Sequence, residues 1–240
     1  MKETQRVAIL FNLFTGLRRG ELLALEISDL DLREQAFQVS RNLARVKTEA
    51  VDLNNPNIRA LDFDPEKKTQ LVIQNTPKSK TSCRKVPMSD DLCQLVVQHV
   101  FYLKHSGWPN PDGLLFPSKT GTHIDPKSYE LRLKAVSKRC EIKRVNPHAL
   151  RHTFATRLVE ENVPLSIIKE ILGHASIQTT QIYAHSNVDL EREAISGITD
   201  FLNINFAQLH AAPRLNGTKK RMKFADVKLP EFGESDPKAG

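Results

Sequence analysis

The chain has 240 residues, 40% of them hydrophobic, and a formal net charge of +7. That length provides one sizeable core, alone or with a small appendage, while no apolar run reaches the roughly 20 residues of a membrane-spanning helix. Cys83, Cys93 and Cys140 are scattered, odd in number and without CxxC spacing, which argues against a disulfide framework or a cysteine zinc site and suits a reducing cytosol.

The N-terminus lacks the apolar core of a signal peptide, so a soluble, cytoplasmic protein with no membrane partner is expected. The basic excess favours a polyanion, most simply nucleic acid.

In chain order, Thr4 to Phe14 reads as a helix with Val7, Leu10, Phe11 and Phe14 on one side. Gly16 breaks it, and a second helix spans Arg19 to Leu25. Ala36 to Val46 alternates like a strand. The polar stretch 47–69, with Pro56 and Pro65, reads as an irregular insertion in a hairpin. Strands follow at Leu71–Gln74 and Arg84–Met88, joined by a basic turn containing Lys78 and Lys80. Ser89 caps a helix to about His105, on which His99 reads as a satisfied core histidine. Leu114–Phe116 is short and extended, and Asp125 and Pro126 start a helix to about Cys140.

The stretch 146–185, NPHALRHTFATRLVEENVPLSIIKEILGHASIQTTQIYAH, carries the most information. Asn146 can cap a helix and Pro147 suits its first position. At helical spacing Leu150, Phe154, Ala155, Leu158 and Val159 form an apolar stripe opposite Thr153, Thr156 and Glu160. His148 and Arg151 fall inside that stripe, where an arginine is costly unless an anion meets it. Leu165–Leu172 forms a further helix with Gly173 as its C-cap, so His174 projects just past a helix end. Ser176 can cap a short helix carrying Tyr183, and Ile195–Phe206 suggests another. From Pro213 the chain is polar and reads as a tail.

Each candidate also has a plain structural reading. Arg18 and Glu21, one turn apart, could be a surface ion pair, and lysines in a strand-connecting turn are commonly just solvated. His148 and His152 stand at a spacing that can ligate zinc. However, Ala149 replaces the glutamate of HExxH and no carboxylate completes a set, which argues against a metal site.

Taken together, TGLRRGEL, HALRHTFAT, LGH and the later Tyr183 resemble the catalytic domain of the tyrosine recombinases, the phage and mobile-element integrases, over about Thr4 to Ile198. The resemblance implies an α+β, mostly α fold: a helical catalytic domain with a small antiparallel β-sheet, the DNA breaking–rejoining enzyme fold. It implies that the domain covers residues 1–206, that 207–240 is a flexible polar tail, and that the family's N-terminal DNA-embracing domain and first catalytic-domain helix are not in this stretch.

By residue, the resemblance assigns Arg18, Lys78, His148, Arg151, His174 and the nucleophile Tyr183 as catalytic, with Glu21, His152 and Lys80 supporting. Lys78 and Lys80 compete for the lysine role, Lys78 being favoured by its place at the start of the Pro–Lys turn. No cofactor and no metal are expected. The implied partners are double-stranded DNA, a homotetramer on synapsed sites, and an accessory excision or bending protein. A type IB topoisomerase uses similar residues, although TGxRxxEL and LGH look more like integrases. A non-catalytic DNA-binding module is the reading from another class, and the intact Tyr183, arginines and histidines count against it.

The chemistry fits the residue types. A phosphodiester is a charged, unreactive electrophile, so catalysis consists largely of donors placed around its developing charge. Arginines are planar, permanently protonated and able to contact nonbridging oxygens bidentately.

Overall fold

The computed structural model describes residues 3–75, 83–143, 145–161 and 163–173. Lys78, Lys80, His174, Tyr183, the expected helix at 195–206 and the tail at 207–240 lie outside the described residues.

Helix α1 (Glu3–Thr15) buries Val7, Ala8, Phe11 and Phe14. Phe11 meets the rings of Phe37 and Phe116 at centroid distances of 5.1 and 5.5 Å, in the tilted arrangements that aromatic quadrupoles favour. Around α1 pack the short α2 (Arg19–Leu23), α3 (Asp90–His105), α4 (Pro126–Arg139) and α5 (Pro147–Glu160), and α6 (Leu165–Leu172) packs on α5.

The helix starts follow the expected caps. The Ser89 hydroxyl accepts from the Leu92 amide at 3.3 Å. Asp125 accepts from Lys127 and Ser128 ahead of Pro126, and Asn146 accepts from Ala149 at 2.8 Å ahead of Pro147. Each satisfies amide groups that the first helical turn leaves unpaired. His99 is fully buried, its Nε2 bonded to the Leu115 carbonyl at 2.9 Å, as a core histidine should be.

The β structure differs from the expected single sheet. Ala36–Val46 is two strands, β2 (Ala36–Val39) and β3 (Asn42–Lys47). Between them Arg41 turns back to Asp29 at 2.5 Å and to the Ala24 carbonyl at 3.3 Å. With β1 (Leu30–Asp31) and β6 (Arg84–Pro87), β2 forms one antiparallel sheet ordered β1-β2-β6. The second sheet is ordered β3-β5-β4, from β3, β4 (Ile58–Leu61) and β5 (Thr69–Gln74).

The 47–69 stretch is therefore more regular than its sequence suggests, because β4 lies within it and pairs with β5 from Ile58↔Gln74 to Leu61↔Leu71. The strands flanking 76–82, β5 and β6, belong to different sheets among the described residues. The first sheet places Phe37, Val39 and Val86 in the core, and Met88 follows just after β6. The second lies against α2, where a side chain at Gly20 would come within 2.5 Å of the Leu43 carbonyl.

Candidate active site

The site is built where three chain segments meet: the turn from α1 into α2, the middle of α5, and the end of α6. Helix α1 ends at Gly16, whose φ of +61° is a left-handed conformation that glycine adopts without penalty. A Cβ there would sit 2.5 Å from the Phe154 ring and 2.9 Å from Leu172, so glycine also permits the close approach of α5 and α6. Asn12, fully buried, holds the following turn: its Nδ2 donates to the Leu17 carbonyl at 2.8 Å and its Oδ1 accepts from Tyr129 Oη at 3.0 Å.

Arg151 reaches this turn from α5. It is 5% exposed, and its Nη1 donates to the Gly16 carbonyl at 2.8 Å and its Nη2 to the Leu172 carbonyl at 2.6 Å. The anion anticipated from its burial is thus replaced, in the described contacts, by two carbonyl dipoles. Burial, and then the charge of Arg18, push its pKa down to about 10, which leaves it protonated at neutral pH.

Arg18 arrives from the start of α2. Its Nη2 donates to the Gly173 carbonyl at 2.9 Å, and its Nη1 to Glu21 at 2.9 Å and, at 3.5 Å, to the Leu172 carbonyl that Arg151 also contacts. Its side chain remains 42% exposed.

Glu21 is not half of a surface pair. It is 5% exposed and accepts from the Arg18 backbone amide at 2.9 Å, from the Arg18 side chain, and from both Nη atoms of Arg84. Burial opposes its charge, but the hydrogen bonds and charge of Arg84, with those of Arg18, outweigh that and hold its carboxyl below the usual range. Arg84, at the head of β6, is a member of this network that sequence reasoning did not single out. Its signal was present: by strand alternation Arg84 shares the inward face with Val86, whereas Lys85 points out.

Two placements differ from the expected helical stripe. His148 lies in the first turn of α5 and is exposed rather than buried among apolar residues, and Val159, near the other end, is 50% exposed. The residues that α5 buries are Pro147, Leu150, Arg151, Phe154 and Leu158. His152 is exposed, its Nδ1 3.1 Å from the Thr156 hydroxyl.

Of the two described tyrosines, Tyr129 is 1% exposed and burial raises its pKa, which disfavours the phenolate. Tyr102, on α3, packs edge-on against Trp108 in the loop that follows. Helix α6 ends in Gly173 at φ +65°, immediately before His174 in the sequence.

This mixed α+β architecture is similar to that of tyrosine recombinases. The phage integrase family model matches residues 1–189, and the chain belongs to that family.

The chain is 30% identical over 195 residues to a tyrosine recombinase XerC-like protein of Caldanaerobacter subterraneus subsp. tengcongensis, covering 78% of this chain and 46% of that protein. It is 44% identical over 172 residues to the tyrosine recombinase XerC of Pseudomonas syringae pv. syringae, covering 71% and 44%. Its fold is similar to that of the Tn1549 transposon integrase in complex with transposon right end DNA, with a TM-score of 0.55, 25% identity, and 83% and 58% of the two chains covered. It is also similar to that of XerA recombinase, with a TM-score of 0.51, 27% identity, and 84% and 58% covered. The chain spans less than half the length of these XerC relatives. Among the described residues no helix is long and apolar enough to cross a membrane.

Proposed function

We propose that residues 1–206 are the catalytic domain of a site-specific DNA recombinase, an enzyme that cuts and rejoins double-stranded DNA through a tyrosine. The observation that carries this reading is the convergence of Arg18 and Arg151 on the Leu172 carbonyl, at the helix end that leads into His174. A half-exposed guanidinium beside a buried one is suited to clamp a phosphodiester: Arg151 is fixed by two carbonyls, and Arg18 keeps N–H groups toward solvent. The Tn1549 integrase of similar fold was solved with transposon DNA, which supports DNA as the partner.

In this reading the Tyr183 oxygen attacks the scissile phosphorus and the bond to the 5′-oxygen breaks. His148, exposed at the start of α5, takes the tyrosine proton, and Lys78 gives a proton to the departing 5′-hydroxyl. Arg18, Arg151 and His174 stabilise the charge that develops on the nonbridging oxygens. Lys80 and His152 stand as supporting groups.

The product is a 3′-phosphotyrosine that conserves the energy of the broken bond. A 5′-hydroxyl from another strand reverses the step, so the chemistry calls for neither metal nor nucleotide cofactor. Recombination of two duplexes requires four such cleavages, hence a homotetramer on synapsed sites, in the cytoplasm, with an accessory excision or bending protein setting direction.

The test is a pool of nicked duplexes of varied sequence, incubated with the full chain and EDTA and resolved on a denaturing gel. A covalent protein–DNA adduct is expected that is absent from Tyr183→Phe and strongly reduced in Arg18→Ala and Arg151→Ala, while nonspecific DNA binding persists in all three. An adduct that survives Tyr183→Phe, or that requires a divalent metal, contradicts the proposal.

A further inference from the structure

We propose that Arg84 is a positioning residue of this site: it fixes Glu21, and through it Arg18, and ties both to the end of α6. The inference rests on the recombinase reading above. Arg84 is 9% exposed and spans three elements with one planar group. From the head of β6 its Nη1 and Nη2 meet the two oxygens of Glu21 on α2 at 3.1 and 3.0 Å, and its Nε donates to the Ile171 carbonyl of α6 at 2.7 Å.

This fork needs a guanidinium, because the point charge of a lysine cannot direct donors along all three lines at once. The neighbouring backbone is shaped around it: a Cβ at Gly173 would lie 2.6 Å from Arg84 Nη1 and 2.9 Å from its central carbon.

The arrangement has two consequences for chemistry. Glu21 is shared between Arg18 and Arg84, so the carboxylate that orients the more exposed Arg18 is itself held from behind. Arg84 also contributes to the field at Arg151, alongside Arg18 and Glu21. Three guanidiniums and one carboxylate leave a cluster of net charge +2, the sign and size suited to a phosphoryl group gaining negative charge as it becomes pentacoordinate. Arg84 is too buried to touch DNA, so its effect on the reaction passes through Glu21 and Arg18.

A residue that only stabilises the fold lowers activity on every substrate alike, whereas one that aligns charge-stabilising groups matters most where charge develops. The test uses full-length wild type, Arg84→Lys and Arg84→Gln on a nicked duplex taken from the adduct-forming pool. The duplex is made either with the natural phosphodiester or with a neutral methylphosphonate at the scissile position. Arg84→Lys keeps a cation opposite Glu21 and guards against loss of fold, which circular dichroism checks.

The expected result is a loss of adduct formation on the phosphodiester on the order of 100-fold, shrinking to less than about tenfold on the methylphosphonate, with unchanged nonspecific DNA affinity. Wild-type rates on the phosphodiester, equal losses on both substrates, or an unfolded protein in both variants would each overturn the inference. Absence of any adduct from wild type overturns the recombinase reading instead, without reference to Arg84.

Discussion

At the scale of single residues, the site is a contest over one carboxylate and one carbonyl. Leu172 offers its carbonyl to Arg151 and, at longer range, to Arg18, while each oxygen of Glu21 accepts from both Arg18 and Arg84. Glu21→Gln removes the carboxylate that pairs with the buried Arg84, and loss of one partner from a buried pair costs about 3–5 kcal/mol.

The pH dependence follows from the sign of the shift. The folded-state pKa of Glu21 lies below its ordinary value, so its contribution is complete above the unfolded pKa of about 4.3 and is lost as pH falls through the lower, folded value. Urea titrations should show a constant stability gap between wild type and Glu21→Gln from neutral pH down to about 5, closing in more acid solution. A gap that widens on acidification contradicts this account of Glu21.

Arg18 and Arg151 were legible in the sequence because each sits in a compact local pattern, TGLRRGEL and HALRHTFAT. Arg84 was not singled out, because strand alternation could place it on the inward face with Val86 but could not show its partner, which lies in a distant helix. The same long-range pairing turned the Arg18–Glu21 surface pair into a buried network.

Among the elements, the helices were read from caps and periodicity, and the described ones formed where those signals were local: Ser89, Asp125–Pro126, Asn146–Pro147 and Gly173. The strands were harder. Alternation runs through Ser40 and Arg41 with no glycine or proline to interrupt it, so Ala36–Val46 resembles one strand. What divides it is pairing, since β2 finds β6 and β3 finds β5. Such choices depend on partners far along the chain, which a local pattern does not encode.

Two substitutions test the element ends that carry the site. Asn146→Ala removes the cap of α5 and should cost about 1 kcal/mol. Gly173→Ala forces a Cβ into a left-handed residue and against Arg84, and should cost about 1–3 kcal/mol. Denaturant unfolding measures both. Neutral effects would mean that neither end is held as described.

For the molecule as a whole, α1 is the hub: α3, α4 and α5 close on it, and Gly16, which ends it, supplies the carbonyl that fixes Arg151. The helix that anchors the core therefore also leads into the carbonyl that holds Arg151, which in the proposed site would keep that group on a rigid element. The family match over residues 1–189 includes the positions of His174 and Tyr183, which follow α6 in the sequence.

The central claim is that the oxygen of Tyr183 becomes bonded to a DNA 3′-phosphate. The most direct measurement is to trap the adduct on a nicked duplex, digest the DNA with nuclease and the protein with protease, and sequence the nucleotide-bearing peptide by mass spectrometry. The account predicts one modified peptide, with the phosphoryl group on Tyr183 and a free 5′-hydroxyl on the released strand. A nucleotide attached to any other side chain, or linkage to Tyr183 through a 5′-phosphate, would contradict it.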